Sequence, residues 1–181
     1  MRHAYAKRTA FIAEITDRCV EAAFAAVPRE AFLDPGPWSV VARWAPSRPG
    51  YLRTPDADPV FVYTDDVIAI LPERGLNNGQ PSLHAALIAS AAPVPGEHVV
   101  HIGVGFGYYT AILAELAGTS GRVTAIEIDP DLAARAASNL SHYPNVRVVP
   151  GNGTAVAFDI ADVIYVNAGA TRPRQLARQA R

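Results

Sequence analysis

The clearest pattern lies in the second half of the chain, where short apolar runs alternate with segments of helical periodicity. Val99, Val100 and Ile102 form an unbroken apolar run that reads as a strand buried on both faces. The alternation predicts strand 98–103, helix 108–118, strand 122–128, helix 130–142 and strand 146–150, then strand 161–167 and a helical tail from Arg172. Strands that alternate with helices predict an α/β fold with a mostly parallel sheet covered by helices on both faces. The first half is less regular. Phe11, Ile12, Ile15, Cys19, Val20 and Phe24 fall at helical spacing and predict one amphipathic helix from Tyr5 to Ala25, with Pro28 beyond it. Residues 34–59 are rich in Pro and Gly and predict a loop-rich segment with short strands, in which Trp38, Trp44 and Tyr51 pack. Val60–Tyr63 and Val67–Leu71 are short apolar runs. A polar connection over 72–81 leads to a helix over 82–92, and Pro93–Gly96 turns the chain into the first core strand. The expected organisation is one structural domain in two parts, 1–92 and 93–181.

Composition narrows the function. Half of the 181 residues are apolar, 18% are charged and the net charge is −1, which gives no reason to expect nucleic acid or an anionic membrane as a partner. No apolar run approaches membrane-spanning length, and Glu14, Asp17 and Arg18 interrupt the stretch that a signal peptide needs. A single cysteine, Cys19, excludes an internal disulfide framework and fits a reducing cytoplasm; within the helical pattern it reads as a small buried apolar residue.

The candidate chemistry sits at the turn between the first core strand and its helix. Gly103, Gly105 and Gly107 let the backbone adopt conformations closed to other residues and let a ligand lie against the main chain. Glu127, near the end of the next strand, suits a carboxylate that accepts from both hydroxyls of a ribose. The two together point to a nucleotide-type cofactor. The dinucleotide fingerprint would require a third glycine where Tyr108 stands, and no Lys-Ser/Thr pair follows to make a P-loop. His98 and His101, three apart on a strand, face opposite sides and cannot share a metal. Asp65-Asp66 reads equally as a solvated turn or as a substrate-side pair. No metallohydrolase or nucleophile-elbow motif is present.

These residues resemble the protein-L-isoaspartate O-methyltransferase family, within the Rossmann-like class I S-adenosylmethionine-dependent methyltransferases. Val27-Pro28-Arg29-Glu30-Ala31-Phe32, Tyr63-Thr64-Asp65, Gln80-Pro81, Pro95-Gly96, Ile102-Gly103-Val104-Gly105-Phe106-Gly107-Tyr108 and Gly151-Asn152-Gly153 each resemble a family segment, in the family's order. The resemblance implies S-adenosyl-L-methionine as cofactor. It implies Gly103, Gly105, Gly107 and Tyr108 along the methionine and ribose, Glu127 on the ribose hydroxyls and Ile128 beside the adenine. Asn152 and Gly153 would lie at the adenine amino group and His84 near the methionine end. It implies an acceptor side at Asp65, Asn78, Gly79 and Gln80, and methyl transfer to a carboxylate of a peptide or small molecule. A carboxylate is already nucleophilic at neutral pH, so the residues position and desolvate rather than abstract a proton.

The chain also departs from the pattern. Gly79 stands where the family has a serine, His101 where it has a strand-end acid, and Asn152 where it has an aspartate. The fold class would normally continue past the strand at 163–166, so the reading expects missing C-terminal strands. It also expects an exposed sheet edge open to a homo-oligomeric partner. The rival reading is a homologue that binds the cofactor but is non-catalytic or has changed its acceptor, acting as an interaction protein; a nicotinamide oxidoreductase stands further off.

Overall fold

The computed structural model describes residues 1–41 and 50–169. Trp44 and the helical tail from Arg172 lie outside the described residues. The chain divides into two compact units, 1–87 and 88–181.

The first unit opens with two helices where the sequence pattern suggested one. Helix α1 (Arg2–Ile12) buries Tyr5, Ala6, Thr9 and Ala10. Glu14 then turns through a positive φ of 55°, and Asp17 starts α2 (Arg18–Ala26) by accepting from the N–H groups of Cys19 and Val20. The aspartate is a stronger local instruction than the apolar spacing that runs across it. Splitting the helix resets its face: Phe11 is 84% exposed, and Cys19 is exposed rather than buried as its spacing suggested.

Strands β1 (Ser39–Val41), β2 (Leu52–Arg53), β3 (Val67–Leu71) and β4 (Leu76–Asn77) form an antiparallel sheet in the order β2-β1-β3-β4. Of these, β3 shows the alternating burial of a strand covered on one face. The apolar run 60–63 forms a 3₁₀ turn over Pro59–Val62, started by Asp58. Trp38 packs as expected: it is buried, and its indole N–H donates to the Asp34 carbonyl. Helix α3 (Pro81–Ala91) follows and runs across the division between the units.

The second unit keeps the expected alternation. Strands β5 (His98–Ile102), β6 (Arg122–Glu127), β7 (Val146–Pro150) and β8 (Val163–Val166) form a wholly parallel sheet in the order β7-β6-β5-β8. Every residue of β5 is buried, as its apolar run requires. Helix α4 (Tyr108–Ala117) packs against β5 and β6 and is buried along nine of its ten positions; α5 (Pro130–Asn139) packs against β6 and β7 and starts at Asp129, whose side chain accepts from the N–H groups of Asp131 and Leu132. The chain steps outward from β5 to β7, then returns to the other side of β5. That reversal opens a crevice at the carboxyl ends of β5 and β8, where sheets of this kind bind ligands.

Candidate functional site

At the carboxyl edge of the parallel sheet, four strand ends converge on the glycine loop. Gly103 leaves β5 with φ 84°, and its N–H donates to the Ile126 carbonyl at 2.9 Å. A β-carbon here would lie 2.6 Å from the Asn167 carbonyl oxygen just past β8, so only glycine fits against that strand end. Glu127 ends β6 with 5% exposure. One carboxylate oxygen accepts from the Gly105 N–H at 2.9 Å and the other from the Asp129 N–H at 3.1 Å. The Glu127 carbonyl in turn accepts from the Gly151 N–H at 2.8 Å. The acid, the glycine loop and the turn after β7 are thus tied into one rim.

A carboxylate offers about four acceptor positions. Backbone N–H groups take two, one on each oxygen, and one position on each oxygen can still receive a hydroxyl. Beside it, Ile128 is 69% exposed, an apolar surface next to a carboxylate. Gly153 packs against Ile102, and exposed Asn152 forms a turn in which its Oδ1 accepts from both the N–H and the hydroxyl of Thr154. Its amide nitrogen is the remaining outward group.

Beneath the loop, the fully buried His101 reaches Thr110 of α4 through Nδ1 at 2.8 Å, which buckles the loop's two ends together. Tyr108 is buried at the start of α4. His98 and His101 are both interior and engaged separately, His98 with Thr124 and the Ile160 carbonyl, and no metal-competent cluster occurs among the described residues. A groove of about 630 Å³ bordered by Arg122, Tyr143, Asn145 and Arg147 lies at the opposite edge of the sheet and contains none of the singled-out residues.

The other candidates gather in the first unit. Asp65 does not lie in a solvated turn. Its Oδ1 accepts from the Ser82 N–H at 2.7 Å, and its Oδ2 accepts from Gln80 Nε2 at 2.7 Å and from the Ser82 hydroxyl at 2.9 Å. It caps α3 at Ser82 from 17 residues away in sequence, a role that no local pattern announces. Asn78 pairs with Ile68 through both its N–H and its Oδ1, at 2.9 and 3.0 Å, while its amide nitrogen is buried without a hydrogen-bond partner among the described residues. Gly79 turns with φ 72°, and His84, 3% exposed, lies against it. Burial, and then the positive charge of Arg29, lowers the His84 pKa to about 4, so the ring is neutral at physiological pH.

Arg29 is the residue that sequence reasoning passed over. Its guanidinium is fully buried and donates to the carbonyls of Val62 (2.6 Å), Thr64 (2.8 Å) and Asp66 (2.9 Å). It therefore holds the segment that carries Asp65. The only advance signal was its place in the Val27–Phe32 segment, which says nothing of burial.

A parallel sheet reversing at β5, a glycine loop and a strand-end carboxylate define a class I methyltransferase fold, and known structures agree. A protein-L-isoaspartate O-methyltransferase superposes with a TM-score of 0.80 at 24% identity, covering all of this chain and 52% of that one. A Plasmodium falciparum chain assigned as a protein-L-isoaspartate O-methyltransferase, solved with S-adenosyl-L-homocysteine, gives 0.69 at 18% identity, covering 96% and 76%. The sequence profile of the protein-L-isoaspartate(D-aspartate) O-methyltransferase family matches residues 48–181, and the chain belongs to that family. The Methanococcus aeolicus protein-L-isoaspartate O-methyltransferase is 43% identical over 89 residues, 46% of this chain and 41% of that protein. The chain spans about half the length of the curated relatives it matches.

Proposed function

We propose that the chain is an S-adenosyl-L-methionine-dependent methyltransferase acting on a carboxylate of a peptide or small molecule. The observation that carries this is Glu127: a buried carboxylate whose two oxygens are each fixed by one backbone N–H and each keep an acceptor position for one ribose hydroxyl. The relative solved with S-adenosyl-L-homocysteine supports the same cofactor class. S-adenosyl-L-methionine supplies an electrophilic methyl group that a carboxylate oxygen takes without a general base. Gly103, Gly105, Gly107 and Tyr108 would line its methionine and ribose, Ile128 its adenine face, and Asn152 and Gly153 its adenine edge.

The acceptor loop is Asn78, Gly79 and Gln80, held by Asp65, and His84, which would lie near the methionine end of the cofactor, packs against Gly79. Asp65 spends its carboxylate on Gln80 and Ser82 and so acts by fixing the loop and the start of α3.

Calorimetric titration with S-adenosylhomocysteine, with NAD as control, tests the cofactor site. Selective binding that is lost in Glu127→Ala is the expected result. Transfer of labelled methyl to an isoaspartyl peptide then tests the acceptor. Tight cofactor binding with no transfer to any carboxylate would mean a cofactor-binding interaction protein, and no binding by a folded sample would sink the assignment.

A further inference from the structure

Gly79 and His84 claim the same space. A β-carbon at residue 79 would lie 2.1 Å from Nε2 and 2.8 Å from Cδ2 of His84, where carbon contacts normally settle at about 3.5–4.0 Å. Both sides are confined. The imidazole is 3% exposed, and the His84 N–H closes the first turn of α3 on the Gln80 carbonyl at 3.1 Å. Asp65 fastens that turn through Ser82 and Gln80. On the loop side, the Gly79 N–H donates to Asn77 Oδ1 at 2.9 Å, and Asn78 is paired with Ile68 of β3. With φ 72°, residue 79 also holds a conformation that glycine adopts without strain.

We propose that His84 is the positioning residue of the acceptor loop: its ring fills the volume a side chain at residue 79 would need and sets the loop's left-handed turn, so that the acceptor carboxylate meets a bare Cα there. The inference rests on the reading of residues 78–80 as the acceptor side. The two positions are coupled: a side chain at 79 fits only if the imidazole of His84 moves. A neutral ring suits the role, because a charged one would repel the buried Arg29 guanidinium. Selection then works by room: an acceptor that needs a side-chain hydroxyl from residue 79 is disfavoured, and one that uses the vacated space is favoured.

The test is a cycle of four proteins: the parent chain, Gly79→Ala, His84→Ala and the double variant. Each is measured for melting temperature, for S-adenosylhomocysteine affinity and for KM and kcat on a carboxylate acceptor peptide. The expected result is a large melting loss for Gly79→Ala alone that shrinks by at least half once His84 is also alanine. His84→Ala alone should raise the acceptor KM about tenfold and change S-adenosylhomocysteine affinity by a smaller factor. His84→Gln, which keeps a nitrogen near the Nε2 position, should recover most of that KM. Equal melting losses in both backgrounds overturn the shared volume. Coupled losses with an unmoved KM reduce the contact to packing and overturn the positioning role. Loss of transfer in every protein, the parent included, with S-adenosylhomocysteine still bound, is the distinct signature that the methyltransferase reading itself has failed.

Discussion

The two units are held together in different ways. The second is built from neighbours in sequence: β5 and β6 are each followed by a helix that packs on the sheet, and the ladder registers run unbroken from β5 to β6 and from β6 to β7. The first is stitched by polar side chains acting across long separations, Arg29 to the 62–66 segment and Asp65 to the start of α3. One half rests on pattern and apolar burial, and the other on a few buried hydrogen-bonding hubs. The first should therefore fail at single residues whose loss a layered sheet would absorb.

Arg29→Met is the sharpest way to break that contrast. It keeps much of the side-chain volume and leaves the carbonyls of Val62, Thr64 and Asp66 without their buried donor. Each unsatisfied group costs about 1–3 kcal/mol, so a loss of about 4 kcal/mol or more is expected in urea unfolding. Arg29→Lys should recover only part of it, since an ammonium cannot reproduce the planar fork. A loss below 1 kcal/mol would mean that the hub is decorative.

Gly103→Ala applies a comparable insult to the second unit. The added carbon meets the Asn167 carbonyl at 2.6 Å and forces a positive φ on alanine, and a destabilisation of about 3 kcal/mol is expected. Because the loop itself is displaced, S-adenosylhomocysteine binding should fall with stability, whereas Arg29→Met should lower stability with a smaller change in affinity per folded molecule. Equal effects on affinity would erase the distinction between the units.

His84 gives the comparison a pH axis. Its ordinary pKa is about 6.5 and its folded value is about 4. Between those values the unfolded chain binds a proton that the folded chain refuses, so stability falls as pH drops from about 6.5 towards 4, by up to about 3 kcal/mol, and this contribution is flat above and below the window. Urea midpoints at pH 7 and pH 4.5 measure it. In His84→Gln the slope over this window should flatten, and an unchanged slope would place the acid sensitivity elsewhere.

How much of this the sequence revealed follows the same division. The apolar run at 98–102, the glycine turn and Asp129-Pro130 each act within a few residues, so strand, loop and helix start were legible, as was Glu127 at a strand end. The break between α1 and α2 was legible in principle, because Asp17 is a strong helix start, but the apolar spacing across it masked the signal. Asp65 stood out as an acceptor-side candidate, but its capping of α3 and the burial of Arg29 could not be read. Their partners lie 15 to 37 residues away, and a buried arginine that binds carbonyls has no local periodicity. The antiparallel sheet went unseen for a related reason: β2 and β4 are two residues each, too short to alternate.

The cofactor rim offers a gentler test. Glu127→Gln preserves shape but turns an amide N–H₂ towards either Gly105 N–H or Asp129 N–H, donor against donor. It also removes the charge that strengthens hydrogen bonds from hydroxyls. S-adenosylhomocysteine affinity should weaken by about 1.5–3 kcal/mol, roughly 10- to 150-fold, with the melting temperature moving much less than in Gly103→Ala.

The smallest expected effect is at Asn152, and it separates turn-making from ligand-reading within one side chain. Its Oδ1 accepts from the N–H and the hydroxyl of Thr154, and aspartate supports such a turn equally well, so Asn152→Asp should change stability by less than about 0.5 kcal/mol. What changes is the outward group: the amide nitrogen, a donor, becomes a carboxylate oxygen, an acceptor. If residue 152 meets the adenine amino group, the substitution should tighten S-adenosylhomocysteine binding several-fold, worth about 1 kcal/mol for a charge-assisted hydrogen bond. The gain should vanish for an analogue whose adenine amino group is replaced by a carbonyl. An unchanged affinity with an unchanged fold would remove Asn152 from the adenine edge and leave it as the turn that brings Gly153 against Ile102.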